Sequence, residues 1–311
     1  MLLPRPIFWL GLAGLTAPQR ALLTAYMPRE PGSLPAWRAA EFTEADALCI
    51  NGSAAHLLGS GILQVPDSRQ GRPPLNLDLR ELDRPLMFTE PLADPELAPW
   101  DHVDPESERG VQLALKKLES GLLELRTQFA LGALIHHHIE SLQSQIYSVV
   151  HQGAMLAVVD FPGRYVYYTA GVSMLQLEQA AWILQPHHGP ATVPKGMVEA
   201  SMTLIMWQFA QHAAVDLLPE RFLHGPIRLR YKPLVPDAWL KASQRSLVSM
   251  LLAGDLSLDD MLQQNKGFNR EQLLRDLASF YFDGAIASAQ GDVRWAPAAG
   301  VASQPGMLRA G

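Results

Sequence analysis

Ile7-Phe-Trp-Leu-Gly-Leu12 and Ala47-Leu-Cys-Ile-Asn51 are short apolar runs bounded by small or turn-forming residues, and each reads as a buried strand. Between them, Ala17 to Met27 carries Leu22, Leu23 and Tyr26 at helical spacing, and Pro28 closes the helix. Pro35 to Phe42 reads as a second strand, and Thr43-Glu-Ala-Asp46 leads into the third. Ala54 to Leu63 fits a short helix, and the Gly/Pro-rich stretch Pro66 to Pro74 a surface loop. Leu75 to Leu79 alternates, and Pro85 to Pro91 reads as the last strand. Strands and helices that alternate in this way favour a parallel α/β sheet.

Asn51 closes the third strand, Ala13-Gly14-Leu15 follows the first, and Glu90-Pro91 ends the last. On these residues the region from Pro6 to Pro91, about a quarter of the chain, resembles a response-regulator receiver, a flavodoxin-like α/β domain, with its catalytic acids gone. In that family the position of Asn51 carries the aspartate that accepts phosphate, and an acidic pair after the first strand holds magnesium. The family's Lys-Pro keeps its proline here and reverses its charge, and the interval from Leu79 to Pro85 is too short for the fourth helix. The resemblance implies a pseudo-receiver that passes on a signal without phosphorylation. Another small open α/β sheet is the alternative reading.

The full chain of 311 residues has room for two domains. Its composition, 48% hydrophobic and 18% charged, fits packed cores and excludes global disorder. A net charge of −6 argues against a protein coated in nucleic acid. The single cysteine, Cys49, has no partner for an internal disulfide, so a cytoplasmic protein is expected. Arg5 precedes the apolar stretch Ile7 to Ala17, but Gly11, Gly14 and Pro18 fit a buried strand better than a signal peptide. No stretch reaches the ~20 apolar residues of a membrane span, so no membrane partner is expected.

The expected domain plan is a receiver-like domain at 1–93, a linker and long helix at 94–152, an α+β output domain at 153–288 and a disordered tail at 289–311. Asp94 to Glu108 is acidic and proline-bearing. From Val111 to Val150, apolar positions follow a 4-3 spacing for about forty residues, broken by Gly132, His136 and Gln143. Such a seam predicts a long helix that dimerises the chain through residues 110–152, or else two helices packed on the following domain. Met155 to Asp160 and Tyr165 to Tyr168 flank Phe161-Pro-Gly-Arg164 as a hairpin, with glycine tolerating a positive φ. Met174 to Leu184 and Pro194 to Leu218 read as helical, and Ile227 to Lys232 as a strand. Three helices follow, at Ala238 to Leu252, Leu258 to Gln264 and Arg270 to Phe282, with Ser257 and Asn269 as N-caps and Gly284 as C-cap.

Four groups of residues are candidates for function. His136 and Glu140 have the helical spacing of metal ligands, with His187, His188 and His212 elsewhere, but polar interruption of a helix seam is the commoner explanation, and no metal site is expected. Arg228, Arg230 and Lys232 alternate along one strand, a face suited to phosphate oxygens and so to a nucleotide second messenger such as a cyclic dinucleotide. The last two helices have the outline of a helix-turn-helix within a winged-helix-like bundle. Asn269, Arg270 and Arg275 would contact DNA there, against Glu271 and Asp276. No nucleophile elbow, Walker loop or dinucleotide fingerprint occurs, so neither an enzyme nor a cofactor is expected. Leu218-Pro219 and the strand from Arg228 to Pro233 look similar to uncharacterised proteobacterial two-part signalling proteins. That resemblance implies regulation through a partner protein.

Overall fold

The computed structural model describes residues 3–29, 35–67, 73–92, 102–186, 191–288, 295 and 307–309. Its contacts divide the chain into an N-terminal unit, Arg5–Leu123, and a C-terminal unit that begins at Glu124 and includes Leu3 and Pro4. Both units mix helices with strands, and one holds a parallel sheet. No helix among the described residues is long and apolar enough to cross a membrane.

In the N-terminal unit β1 (Ile7–Ala13) leads to helix α1 (Ala17–Tyr26), then to β2 (Ala36–Ala40) and β3 (Ala47–Asn51). A small antiparallel sheet of β4 (His56–Leu58), β5 (Ile62–Val65) and β6 (Leu75–Asp78) follows. The chain then returns through β7 (Leu86–Glu90) and ends the unit with α2 (Glu108–Gly121). The main sheet has the order β2-β1-β3-β7 and every pairing in it is parallel. Every residue of β1 and β3 is buried, as a central parallel strand covered on both faces requires. Helix α1 starts where Thr16 and Gln19 cap each other: Gln19 N–H donates to Thr16 Oγ1 (3.3 Å), and Thr16 N–H to Gln19 Oε1 (3.0 Å).

The helix expected at Ala54 to Leu63 is instead two 3-10 turns, Gly52–Ala54 and Gly59–Gly61, with β4 between them and β5 after. Leu63 and Val65 are buried while Ile62 and Gln64 are half-buried, the period of a strand, and Gly61 turns the chain with φ +82°.

The C-terminal unit opens with α3 (Leu123–His138), β8 (Ile146–His151), β9 (Ala154–Asp160) and β10 (Tyr165–Tyr168). After a single-turn helix α4 (Met174–Glu178) come β11 (Ala181–Leu184), β12 (Val198–Ser201) and α5 (Met202–His212). A helical end follows: β13 (Ile227–Leu229), α6 (Ala242–Ala253), α7 (Leu258–Gln264), α8 (Arg270–Asp283) and β14 (Ile286–Ser288), which pairs antiparallel with β13. Met307–Arg309 (β15) completes an antiparallel sheet of order β12-β10-β9-β8-β11-β15. One face of that sheet carries Val149, Ala157, Val159, Val166, Tyr168, Trp182 and Ala200 into the core. Leu3 joins the same core, and its N–H donates to Glu178 Oε1 at 2.9 Å.

Several boundaries differ from the sequence reading. Helix α4 stops at Glu178, because Ala181-Trp-Ile-Leu184 alternates, with Trp182 buried and Ile183 exposed. Helix α5 starts only at Met202, where Ser201 Oγ accepts from Leu204 N–H (3.1 Å). Helix α6 starts at Ala242, after the 3-10 turn Asp237–Trp239. In the β9–β10 turn the positive φ falls on Arg164 (+59°) rather than on Gly163. Gly163 is needed for another reason: a Cβ there would meet Asp160 Oδ2 at 2.5 Å, where Asp160 Oδ1 accepts the Gly163 N–H (2.7 Å). Ser257 and Asn269 cap α7 and α8, and Gly284 ends α8 with φ +83°.

The long helix is corrected as well. Helix α2 ends at Gly121, which lies so close to Pro85 that a Cβ would meet the ring at 2.5 Å, and α3 starts at Leu123. The last part of the seam is strand β8, whose Tyr147 and Val149 enter the core on a period of two. Val111, Ala114, Leu115 and Leu118 of α2 are buried, and α3 is buried around most of its circumference from Thr127 to Ile135. Residues 110–152 thus do not form one continuous heptad helix. Residues 94–101 of the acidic linker and most of the tail lie outside the described residues.

Gly132 is where α3 meets α5. A Cβ at this position would stand 2.5 Å from Phe209 Cβ and 2.9 Å from the Ile205 carbonyl oxygen. Gly132→Ala therefore gains helix propensity but must push two packed helices apart. Urea unfolding should show a loss of about 1–3 kcal/mol; an unchanged or raised midpoint would contradict this close crossing.

Candidate functional site

Strand order decides where an open parallel sheet offers a crevice. From β1 the chain crosses to β2 on one side and then to β3 on the other, so the carboxyl ends of β1 and β3 border the switch point. Asn51 lies there, buried. Its Oδ1 accepts from Ser53 N–H (3.0 Å) and from Ser53 Oγ (2.9 Å), closing a local turn. Gly14, with φ +71°, faces it so closely that a Cβ would lie 3.4 Å from Asn51 Cβ. Glu90 ends β7 and accepts weakly from Gln19 Nε2 (3.4 Å). Next in sequence, Gly52 leaves space for the passing backbone of Glu90 and Pro91, which a Cβ would strike.

This arrangement holds a loop in place. An amide does not displace a phosphoryl group, and the oxygen of this one is committed to Ser53. No group of three histidine, cysteine or acidic side chains among the described residues could hold a metal ion. The Cys49 thiol is buried in β3, and burial pushes its pKa up to about 12, far from the thiolate a nucleophile needs.

The basic row is not one face. β13 stops at Leu229, with the Arg230 N–H giving the last rung to Ala285 O (2.8 Å). Arg228 grips Asp255 with Nε (3.0 and 3.1 Å) and Nη2 (2.8 Å), which lowers the carboxyl pKa and raises that of the guanidinium. Lys232 pairs with Asp237 (2.7 Å). Arg228 and Lys232 thus each face an acid of their own, and the nucleotide reading draws no support from the geometry.

The DNA reading meets a packing problem. Ten residues of α8 are buried, among them Leu273 through Phe280, so this helix has no free face to enter a groove. The Arg275 side chain is only 8% exposed; it pairs with Glu271 (2.8 Å) and donates to Gln272 Oε1 (3.1 Å). Asn269 Oδ1 is occupied as the cap, accepting from Glu271 N–H (3.0 Å), while Arg270 is exposed.

The histidines also belong to packing. His136 sits against the rings of Phe209 (5.4 Å) and Phe282 (5.9 Å), and His138 against Trp182 (5.6 Å). Burial, with His137 alongside, lowers the pKa of both. Helix α3 ends at His138, so Glu140 does not follow His136 on a helical face. His212 Nδ1 lies 2.8 Å from the Gln208 carbonyl, and His187 and His188 lie outside the described residues.

What the sequence reading missed is a buried polar knot. Asp276 Oδ1 accepts from Gln211 Nε2 of α5 (3.1 Å), Gln244 Nε2 of α6 (2.9 Å) and Gln272 Nε2 of α8 itself (2.9 Å). Gln211 also donates to Ser279 Oγ (2.9 Å). Burial raises the Asp276 pKa against the opposing pull of Lys241 and the donors. No spacing rule announces five residues separated by up to 68 positions.

No family model matches this sequence, and neither a curated protein nor a solved structure matches it.

The knot has a pH signature. A carboxyl whose folded pKa is raised contributes stability below its unfolded pKa, about 3.9, and loses that contribution as pH rises through the folded value. Asp276→Asn removes the titration and keeps an acceptor oxygen. Urea unfolding from pH 4 to pH 8 should therefore show the variant gaining on the native chain as pH rises. A constant difference between the two chains across that range would refute it.

Proposed function

We propose that this chain is a non-enzymatic regulatory protein. Its N-terminal unit would be a receiver-like relay that works without phosphorylation and acts by binding a partner protein. Asn51 carries the reading: where a receiver presents its phosphate-accepting aspartate, this chain has an amide committed to Ser53. The all-parallel order β2-β1-β3-β7 supports a flavodoxin-like relation, and Gly14 opposite Asn51 supports the loss of magnesium chemistry. The C-terminal unit, with its sheet and buried helical end, is the output half of this scheme. A single buried thiol suits a protein working in the cytoplasm.

The test is a phosphodonor assay read by intact mass. With acetyl phosphate and magnesium, the native chain should gain no phosphoryl group. Asn51→Asp should also gain none, because the acid pair is missing with it. A phosphorylated native chain, or turnover of the donor, would overturn the proposal.

A further inference from the structure

Alternation along β9, β10 and β12 sends Val159, Val166, Tyr168 and Ala200 into the core, and Val158, Asp160, Tyr165, Tyr167 and Glu199 to the opposite face of the sheet. On that face the Tyr165 and Tyr167 rings lie 6.3 Å apart, inclined by 32°. The register sets a carboxylate beside each ring: Asp160 opposes Tyr165 across β9, and Glu199 opposes Tyr167 across β12. Directly opposed residues hold their Cβ atoms about 5 Å apart, which sets each carboxylate beside a ring. Burial first, then Glu199 and Asp160, push the Tyr167 hydroxyl pKa up. Tyr165 is 42% exposed and Glu199 is exposed. Glu199 takes part in no ion pair among the described residues. Asp160 gives one oxygen to the turn, accepting from Gly163 N–H.

The chemistry of this patch has one sign. An aromatic face carries negative electron density, and two carboxylates at its rim add to it, so a phosphate or nucleic-acid backbone is repelled and a cation attracted. A guanidinium can lie flat on a tyrosine ring while its N–H groups bond a carboxylate, which an ammonium does less well.

We propose that this outer face of the β9–β10–β12 sheet docks a cationic segment of a partner protein, an extended peptide presenting arginine. The proposal concerns the C-terminal unit and stands whether or not the N-terminal unit is a relay.

The experiment titrates the full chain with the peptide acetyl-Arg-Val-Arg-Val-Arg-Val-amide and with the same peptide carrying citrulline, which keeps the shape of arginine and loses its charge. Calorimetry should show saturable binding of the arginine peptide and at least about tenfold weaker binding of the citrulline peptide. Glu199→Gln and Tyr167→Leu should each weaken the arginine peptide by about fivefold, the scale of one exposed cation–π or ion-pair contact. Glu106→Gln removes an equal charge in the other unit and should leave binding unchanged. Melting curves of all three variants should match the native chain, since the changes are at or near the surface. Absence of saturable binding, equal affinity for the citrulline peptide, or an equal loss in Glu106→Gln would each overturn the proposal, the last by reducing the effect to overall acidity.

Discussion

At Gly132 the backbone of α3 meets α5 with no side chain between them, and much of the C-terminal unit follows from that contact. Because α3 comes so near, Phe129 packs on Phe209 (5.5 Å), and His136 fits between Phe209 and Phe282. With α5 held in this way, its other side meets α8, where Trp207 lies on Phe280 (5.7 Å) and Gln211 reaches Asp276. A bulkier residue at position 132 would disturb each of these layers, because interiors packed to crystal density transmit strain. Two of the interruptions of the apparent seam, Gly132 and His136, are thus among its most constrained positions.

The parts legible in the sequence are those whose signal is local. Strands β1 and β3 were readable as apolar runs, α1 from its spacing and closing proline, and the ends of α7 and α8 from Ser257, Asn269 and Gly284. What failed to read were segments where two periods compete. Val111 to Val150 keeps a heptad rhythm through α2, α3 and β8, because Ile146 and Val150 fit the helical period as well as the strand period. At the break Gly121 faces Pro85, a close approach 36 residues away in sequence and invisible to any window. Ala181 to Leu184 failed in the same way, an apolar run too short to distinguish strand from helix.

The candidate sites divide along the same line. Asn51 could be placed from the sequence because it stands at the end of a strand that could be recognised. The basic and DNA-contacting sets were read from charge alone, and charge says nothing about partners. Asp255, Asp237 and Glu271 take up Arg228, Lys232 and Arg275, two of them at the surface, where such pairs contribute little to stability but much to what remains available for a ligand. The Asp276 knot lay beyond reach because its donors come from three helices and only the folded chain assembles them.

The amide of Leu3 bonded to Glu178 gives the molecule a property that no single site shows. Residues 3–4 belong to the C-terminal unit, residues 5–123 form the other, and the chain rejoins the first at Glu124, so two covalent crossings join the units. On a ribosome the inserted unit is complete while most of the surrounding unit is still unmade, and Leu3 waits until Glu178 has been synthesised.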